Sequence, residues 1–223
     1  TVLIAPIILV ATQPDLGTSI LIAAGGIVVA WLAGVKAKFF IISGLSMIAL
    51  LPIAISFLKP YQKSRILTFL NPERDPLGAG YQIIQSKIAI GSGGLFGKGF
   101  LNGSQSYLDY LPEKHTDFIF TLFSEEFGFF GSLFILLLYA LIISRIIRIG
   151  NLTRSNFGKL YCYSFATAFF IYVVVNMMMV LGLLPIVGSP LPVMSYGGSS
   201  MMAIMFGLGI VMSCKIYKDV PVN

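Results

Sequence analysis

The chain has 223 residues, of which 57% are hydrophobic and only 11% charged, and its mean hydropathy is +0.89. That exceeds what a water-soluble domain of this length buries, and no Asp, Glu, Lys or Arg occurs from Leu160 to Cys214. The composition excludes a secreted disulfide scaffold, a disordered tail and a cytosolic enzyme, and it indicates an all-α, polytopic membrane protein. The net charge of +6 has to be set against loop topology before it says anything about nucleic acid.

In chain order, the apolar run Val2 to Ala11 is about half of the ~20 residues that a spanning helix requires, so the chain reads as beginning inside a helix. No basic leader precedes the run, which argues against a signal peptide. Leu16 to Val35 and Phe39 to Leu58 read as two complete crossings joined by the basic turn Lys36 to Lys38. Phe118 to Ser144 reads as a third, closed by Arg145 and Arg148. Pro185, Gly188, Pro190 and Pro192 then divide the long uncharged tract into Leu160 to Leu184 and Val193 to Cys214. The expectation is about five complete transmembrane helices plus a partial one, in a single transmembrane domain covering residues 1–223. Cys162 and Cys214 fall in apolar stretches and read as small hydrophobes.

Alternation places Lys36, Lys38, Arg145, Arg148, Arg154, Lys159, Lys215 and Lys218 on one side, against the single acid Asp219. That side is expected to be cytoplasmic, C-terminus included. The opposite face carries seven basic residues and six acids, so the charge is mostly topological and no nucleic-acid partner is expected. Residues 59–117 form one large extracytoplasmic loop, too long to lack function or structure of its own. It holds turn signals at Asn71-Pro72 and Asp75-Pro76, and the apolar spacing over Tyr81 to Ile90 predicts an amphipathic helix at the membrane surface.

The run Gly91 to Gly99 lacks the Gly-Lys-Ser/Thr ending of a nucleotide P-loop. It reads either as a flexible turn or as a set of backbone N–H groups that, with Lys98, take an anionic headgroup. The densest polar cluster is Asp109 to Asp117. Helical spacing puts Glu113 and Asp117 on one face, and Asp117 at the mouth of a span suits either a helix cap or a general base. His115 with Asp109, Glu113 and Asp117 is a weakly specific candidate for a divalent cation. Glu125 and Glu126, about two turns inside a span, need a partner, a wet cavity or a helix that projects beyond the membrane. Ser195 to Ser200 reads as a close-packing stretch of small residues.

Six strings occur in order along the chain: Gln13 to Thr18, Asp75 to Gln82, Gly91 to Gly99, Leu111 to Phe118, Glu125-Glu126, and Pro190 to Ser199. Together they resemble the SEDS (shape, elongation, division and sporulation) proteins over essentially the whole chain. Ser86 to Gly91 and Gly103 to Ser106 look more like the rod-shape, RodA-like branch than the division, FtsW-like branch. Such proteins have about ten spans, so the chain is expected to be a C-terminal portion. The resemblance implies a peptidoglycan glycosyltransferase of the bacterial cytoplasmic membrane that polymerises lipid II into glycan strands during cell-wall elongation. It implies Asp117 as the essential acid, and Glu113, Lys98, Lys114, Lys87, Glu125 and Glu126 as supporting or substrate-binding candidates. No cofactor is implied beyond a candidate divalent cation. Expected partners are lipid II, the nascent strand, a class B penicillin-binding transpeptidase and other membrane proteins of the elongation complex. A lipid II flippase and a scaffold for the transpeptidase stand as alternatives.

Overall fold

The computed structural model describes residues 4–13, 16–57, 60–75, 78–104 and 115–219, and its regular elements are all helical. In order they are α1 (Ile4–Thr12), α2 (Leu16–Leu32), α3 (Ala37–Phe57), α4 (Pro60–Leu70), a 3-10 turn at Pro72–Arg74, α5 (Ala79–Ser92), α6 (Ile119–Leu152), α7 (Asn156–Val180) and α8 (Gly198–Ile216). By length and composition α6, α7 and α8 can each cross a membrane, and Gly17–Leu32 and Ala37–Leu50 are shorter apolar stretches. The two crossings expected before residue 59 are thus the helices α2 and α3. The chain is a multi-pass membrane protein. On α6, Phe134, Leu137 and Leu141 are each more than half exposed at helical spacing, a stripe that suits lipid and would be a liability in water.

Boundaries shift where capping outweighs composition. α6 runs through Arg145 and Arg148 to Leu152 instead of ending at Ser144; long basic side chains can reach past an apolar zone without ending a helix. α7 starts at Asn156, four residues before the expected span, because the Ser155 hydroxyl accepts the Gly158 N–H at 3.3 Å and caps the helix. α8 starts late because residues 190–197 are held as an irregular turn. The expected turn at Asn71-Pro72 is present, with the Asp75 N–H on the Pro72 carbonyl at 3.3 Å.

The core is a stack of two clusters along α6 and α7. Phe118, Phe120, Tyr139, Phe169, Val173 and Met177 fill one, and Ile146, Ile149, Cys162, Ala166 and Val211 fill the other. In lipid, shape fit rather than water exclusion holds such helices together. Cys162 and Cys214 are free thiols, the first buried. The helix expected over Tyr81 to Ile90 is α5, and its buried face, Ile83, Ser86 and Ala89, meets protein. There the Ser86 hydroxyl donates to the Val180 carbonyl at 2.7 Å and pairs with the Thr121 hydroxyl at 2.7 Å.

α6 is broken at Gly128, where φ 65° and ψ −161° leave the helical region. Two ladder bonds are interrupted there, from Phe129 and Phe130 back to Glu125 and Glu126. The glycine-rich loop replaces them with four. Its Lys98 and Gly99 amides donate to the Glu125 and Glu126 carbonyls, both at 3.0 Å, while Phe129 and Phe130 donate to the Gly94 and Leu95 carbonyls at 2.9 and 3.1 Å. The approach is too close for side chains. A Cβ on Gly97, at φ 80°, would lie 2.0 Å from the Glu126 carbonyl oxygen, and one on Gly128 would lie 2.3 Å from the Gly97 nitrogen. The Lys98 ammonium then caps the assembly, 2.7 Å from a Glu125 carboxylate oxygen that also accepts the Ser104 hydroxyl at 3.1 Å. At Lys98 and Gly99, therefore, the loop's amides clamp a broken helix and do not face an anion.

Two stability outcomes follow, both read by thermal unfolding in detergent. Gly97→Ala, which combines a left-handed φ with a backbone clash, is expected to lose more than ~3 kcal/mol, whereas Gly91→Ala on α5, with open space around it, gains up to ~1 kcal/mol. Equal stability of the two would mean that the loop does not sit on the break. Lys98→Met strands the fully buried Glu125 and is expected to cost about 3 kcal/mol, the low end for a buried pair because Lys98 keeps 30% of its side chain exposed. Adding Glu125→Gln should restore most of that loss in a double-mutant cycle.

Candidate active site

Asp117 lies in the turn that leads into α6, just before Phe118, which is 1% exposed and anchors the turn in the core. Three successive carbonyls of this turn are each held by a different donor. The Tyr196 amide donates to His115 at 2.9 Å, the Ser195 hydroxyl to Thr116 at 2.6 Å, and the Asn176 side-chain amide to Asp117 at 2.8 Å. The same Asn176 amide donates to the Ser189 carbonyl at 2.6 Å, and the Tyr139 hydroxyl donates to the Pro192 carbonyl at 2.6 Å. Ser195 closes its own turn by accepting the Leu191 amide at 2.7 Å. Residues 189–196 therefore form a strap tied to α6 by Tyr139, to α7 by Asn176 and to the Asp117 turn directly. Asn176 is fully buried, and its Oδ1 and the Ser189 hydroxyl find no partner among the described residues. Those atoms cost stability, so Asn176 serves position at the expense of folding energy.

The loop after α7 meets this carboxylate at one point and two cations at others. A Cβ on Gly188 would stand 3.6 Å from the Asp117 Oδ2 atom. The Lys87 ammonium of α5 packs against Gly182, 2.8 Å from where a Cβ there would lie, and Arg65 of α4 donates to the Ile186 carbonyl at 3.4 Å. Gly17, in the string Gln13 to Thr18, abuts Val187 so closely that a Cβ would fall 2.2 Å from its Cγ1 atom. Residues 182–188 thus bring one carboxylate and two exposed cations to one loop. On the other side of the turn a cavity of about 490 Å³ opens between His115, Ile119, Met194, Tyr196 and Met201. A carboxylate on a tied turn, two cations on the same loop and an open volume next to the turn are components that a group transfer with an anionic leaving group uses.

Of the sequence candidates, Asp117 and Lys87 belong to this loop, whereas Lys98 and Glu125 are partners at the α6 break. Glu126 is half-buried, its carbonyl taken by Gly99. Asp109, Glu113 and Lys114 lie outside the described residues, and among the described residues no group of three or more His, Cys, Asp or Glu gathers for a metal ion. Arg65 and Asn176 were not singled out in the sequence. Arg65 was one of seven basic residues in the outer loop, but nothing local distinguished it. Asn176 carried a signal in being an amide within the uncharged stretch from Leu160 to Val180 of α7, where an amide needs a partner.

A family model described as Cell cycle protein (FtsW/RodA/SpoVE) matches residues 1–219. The peptidoglycan glycosyltransferase MrdB of Escherichia coli K12 is 50% identical over 214 residues, which cover 96% of this chain and 58% of that protein. Stage V sporulation protein E of Bacillus subtilis is 39% identical over 212 residues, covering 95% of this chain and 57% of that one. Among solved structures, one from work on the structural coordination of polymerization and crosslinking by a peptidoglycan synthase complex aligns with a TM-score of 0.79 at 35% identity, over 97% of this chain and 60% of the other. The Thermus thermophilus rod shape determining protein RodA aligns with a TM-score of 0.63 at 27% identity, over 98% and 55%. The chain spans a little under three fifths of the length of these two sequence relatives. With a match from residue 1 to residue 219, the chain belongs to the FtsW/RodA/SpoVE family of cell cycle proteins.

Proposed function

We propose that the whole protein to which this chain belongs is a peptidoglycan glycosyltransferase that polymerises lipid II in the elongation branch of the family. The observation that carries the chemistry is the tied Asp117 turn, which meets the same loop, residues 182–188, as Arg65 and Lys87 do. An acceptor sugar hydroxyl gives its proton to the Asp117 carboxylate as its oxygen bonds to the donor's anomeric carbon. The bond from that carbon to the undecaprenyl pyrophosphate breaks, the configuration inverts, and the pyrophosphate leaves with the electron pair. Arg65 and Lys87 stabilise its charge. The carboxylate needs no reorganisation in this step, since three backbone ties have already set its place.

The positive-inside bias supports an orientation with residues 59–117 and Asp117 outside and the C-terminus in the cytoplasm, where a lipid-linked sugar meets the base from the outer leaflet. The likeness to a structure concerned with coordinated polymerization and crosslinking supports a penicillin-binding transpeptidase as partner.

Two measurements on the full-length protein test these assignments. Asp117→Asn is expected to lower the initial rate of lipid II polymerisation in detergent by about two orders of magnitude or more, with expression unchanged. Asn176→Leu removes the tie while keeping size; it leaves two carbonyls without their donor and should cost about 2 kcal/mol yet still fold, while losing about tenfold to a hundredfold in kcat with little change in KM. Full turnover by Asp117→Asn would remove the base and return a flippase to the front. For orientation, in a background with Cys162 and Cys214 replaced by Ser, a cysteine at exposed Asn102 should label from outside intact cells with an impermeant thiol reagent. One at exposed Asn156 should not, and the opposite pattern overturns the topology.

A further inference from the structure

At the end of the bundle away from Asp117, α6 and α8 present matching stripes. On α6 the stripe is Leu141, Arg145, Arg148 and Leu152, and on α8 it is Leu208, Val211 and Lys215, with Lys218 in the turn just past its end, so that apolar residues lie toward the middle of each helix and cations near its end. Between them runs an apolar groove of about 610 Å³ floored by Ile149 and Val211. It leads into a cavity of about 310 Å³ whose walls carry all four cations, Arg145, Arg148, Lys215 and Lys218. No acid lines either volume, and Asp219, which follows Lys218, is exposed and outside the lining. None of the four makes an ion pair among the described residues.

Positive-inside topology alone asks only for basic residues at this end, and free side chains would splay to lower their mutual repulsion. Here the walls are tied together. The Arg154 amide donates to the Lys218 carbonyl at 2.9 Å and the Thr153 hydroxyl reaches the Cys214 carbonyl at 3.5 Å, so the end of α8 is fixed against the end of α6. Four cations converging on a small cavity are stable when an anion sits among them, and the attached apolar groove selects an anion that carries a hydrocarbon chain.

We infer that the α6–α8 groove is a binding site for an anionic phospholipid, the phosphate held by Arg145, Arg148, Lys215 and Lys218 and one acyl chain lying along Leu141, Leu208 and Val211. Basic pockets between membrane helices take such headgroups. The leaflet, cytoplasmic, rests on the orientation proposed above; the site itself does not, and it is independent of the polymerase chemistry.

The test is native mass spectrometry of the detergent-purified full-length protein, titrated with phosphatidylglycerol or with phosphatidylcholine of the same chains. Phosphatidylglycerol is expected to bind in preference. Arg145→Gln with Arg148→Gln should weaken it about thirtyfold, at about fivefold per cation. Arg145→Lys with Arg148→Lys should stay within a few fold of the parent. Lys36→Gln with Lys38→Gln, the same charge loss elsewhere, should leave affinity unchanged. If the arginine pair does not fold when neutralised, Lys215→Gln with Lys218→Gln gives the same reading. Equal binding of the two lipids, equal loss in the pocket and control variants, or displacement of the lipid by millimolar inorganic phosphate would overturn the assignment.

Discussion

A peptide group freed from its helix in an apolar surrounding has no water to turn to, so a membrane protein can interrupt a helix only where other protein groups take over the bonds. Two interruptions organise this fold. At Gly128 the amides of Phe129 and Phe130 and the carbonyls of Glu125 and Glu126 pass from the helix ladder to the glycine-rich loop. Between α7 and α8 the chain leaves helical geometry at Gly182 and does not regain it until Gly198, and its polar groups are taken up by Tyr139, Asn176 and the turn at residues 115–117. The candidate active site is what the second interruption builds, because the strap that satisfies its own backbone also fixes Asp117.

Much of this was legible in composition and spacing. The apolar runs announced α2, α3, α6, α7 and α8, and the prolines from Pro185 to Pro192 announced the strap. What could not be read were facts that depend on the approach of distant segments. The break at Gly128 has no local marker, since glycine is ordinary in membrane helices. It becomes intelligible only with Gly97 lying against it, 31 residues earlier in the chain. The run Gly91 to Gly99 offered a flexible turn or an anion cradle; it does form a turn, and its Gly97, Lys98 and Gly99 amides go to protein carbonyls, two of them on α6. Asp117 stood out by sequence because it is charged at the mouth of a span. Asn176 did not, because a neutral amide deep in an apolar helix looks like noise until its two acceptors are seen.

The cations divide by environment in a way their number alone conceals. Lys98 is spent on the buried Glu125, where the pair keeps a broken helix closed, and such a cation has little left to offer a ligand. Arg65 and Lys87 lie exposed over a loop of carbonyls, which leaves their charge open to an incoming anion. Arg145, Arg148, Lys215 and Lys218 face one another at the opposite end. Among the fifteen Lys and Arg, one is thus paired with a buried acid and two groups stand exposed near opposite ends of α6.

The way in which Asp117 is held has a mechanical consequence. Its turn is fixed through backbone carbonyls, by Asn176 from α7 and by Ser195 and Tyr196 from the segment that leads into α8. A shift of α7, or of the segment leading into α8, against α6 therefore reaches the Asp117 turn through a single hydrogen bond. Misplacing a base by about 1 Å can cost about a hundredfold in rate. Packing among these three helices, which are also tied at the far end through Thr153 and Arg154, is then coupled to the geometry of the Asp117 turn through direct hydrogen bonds.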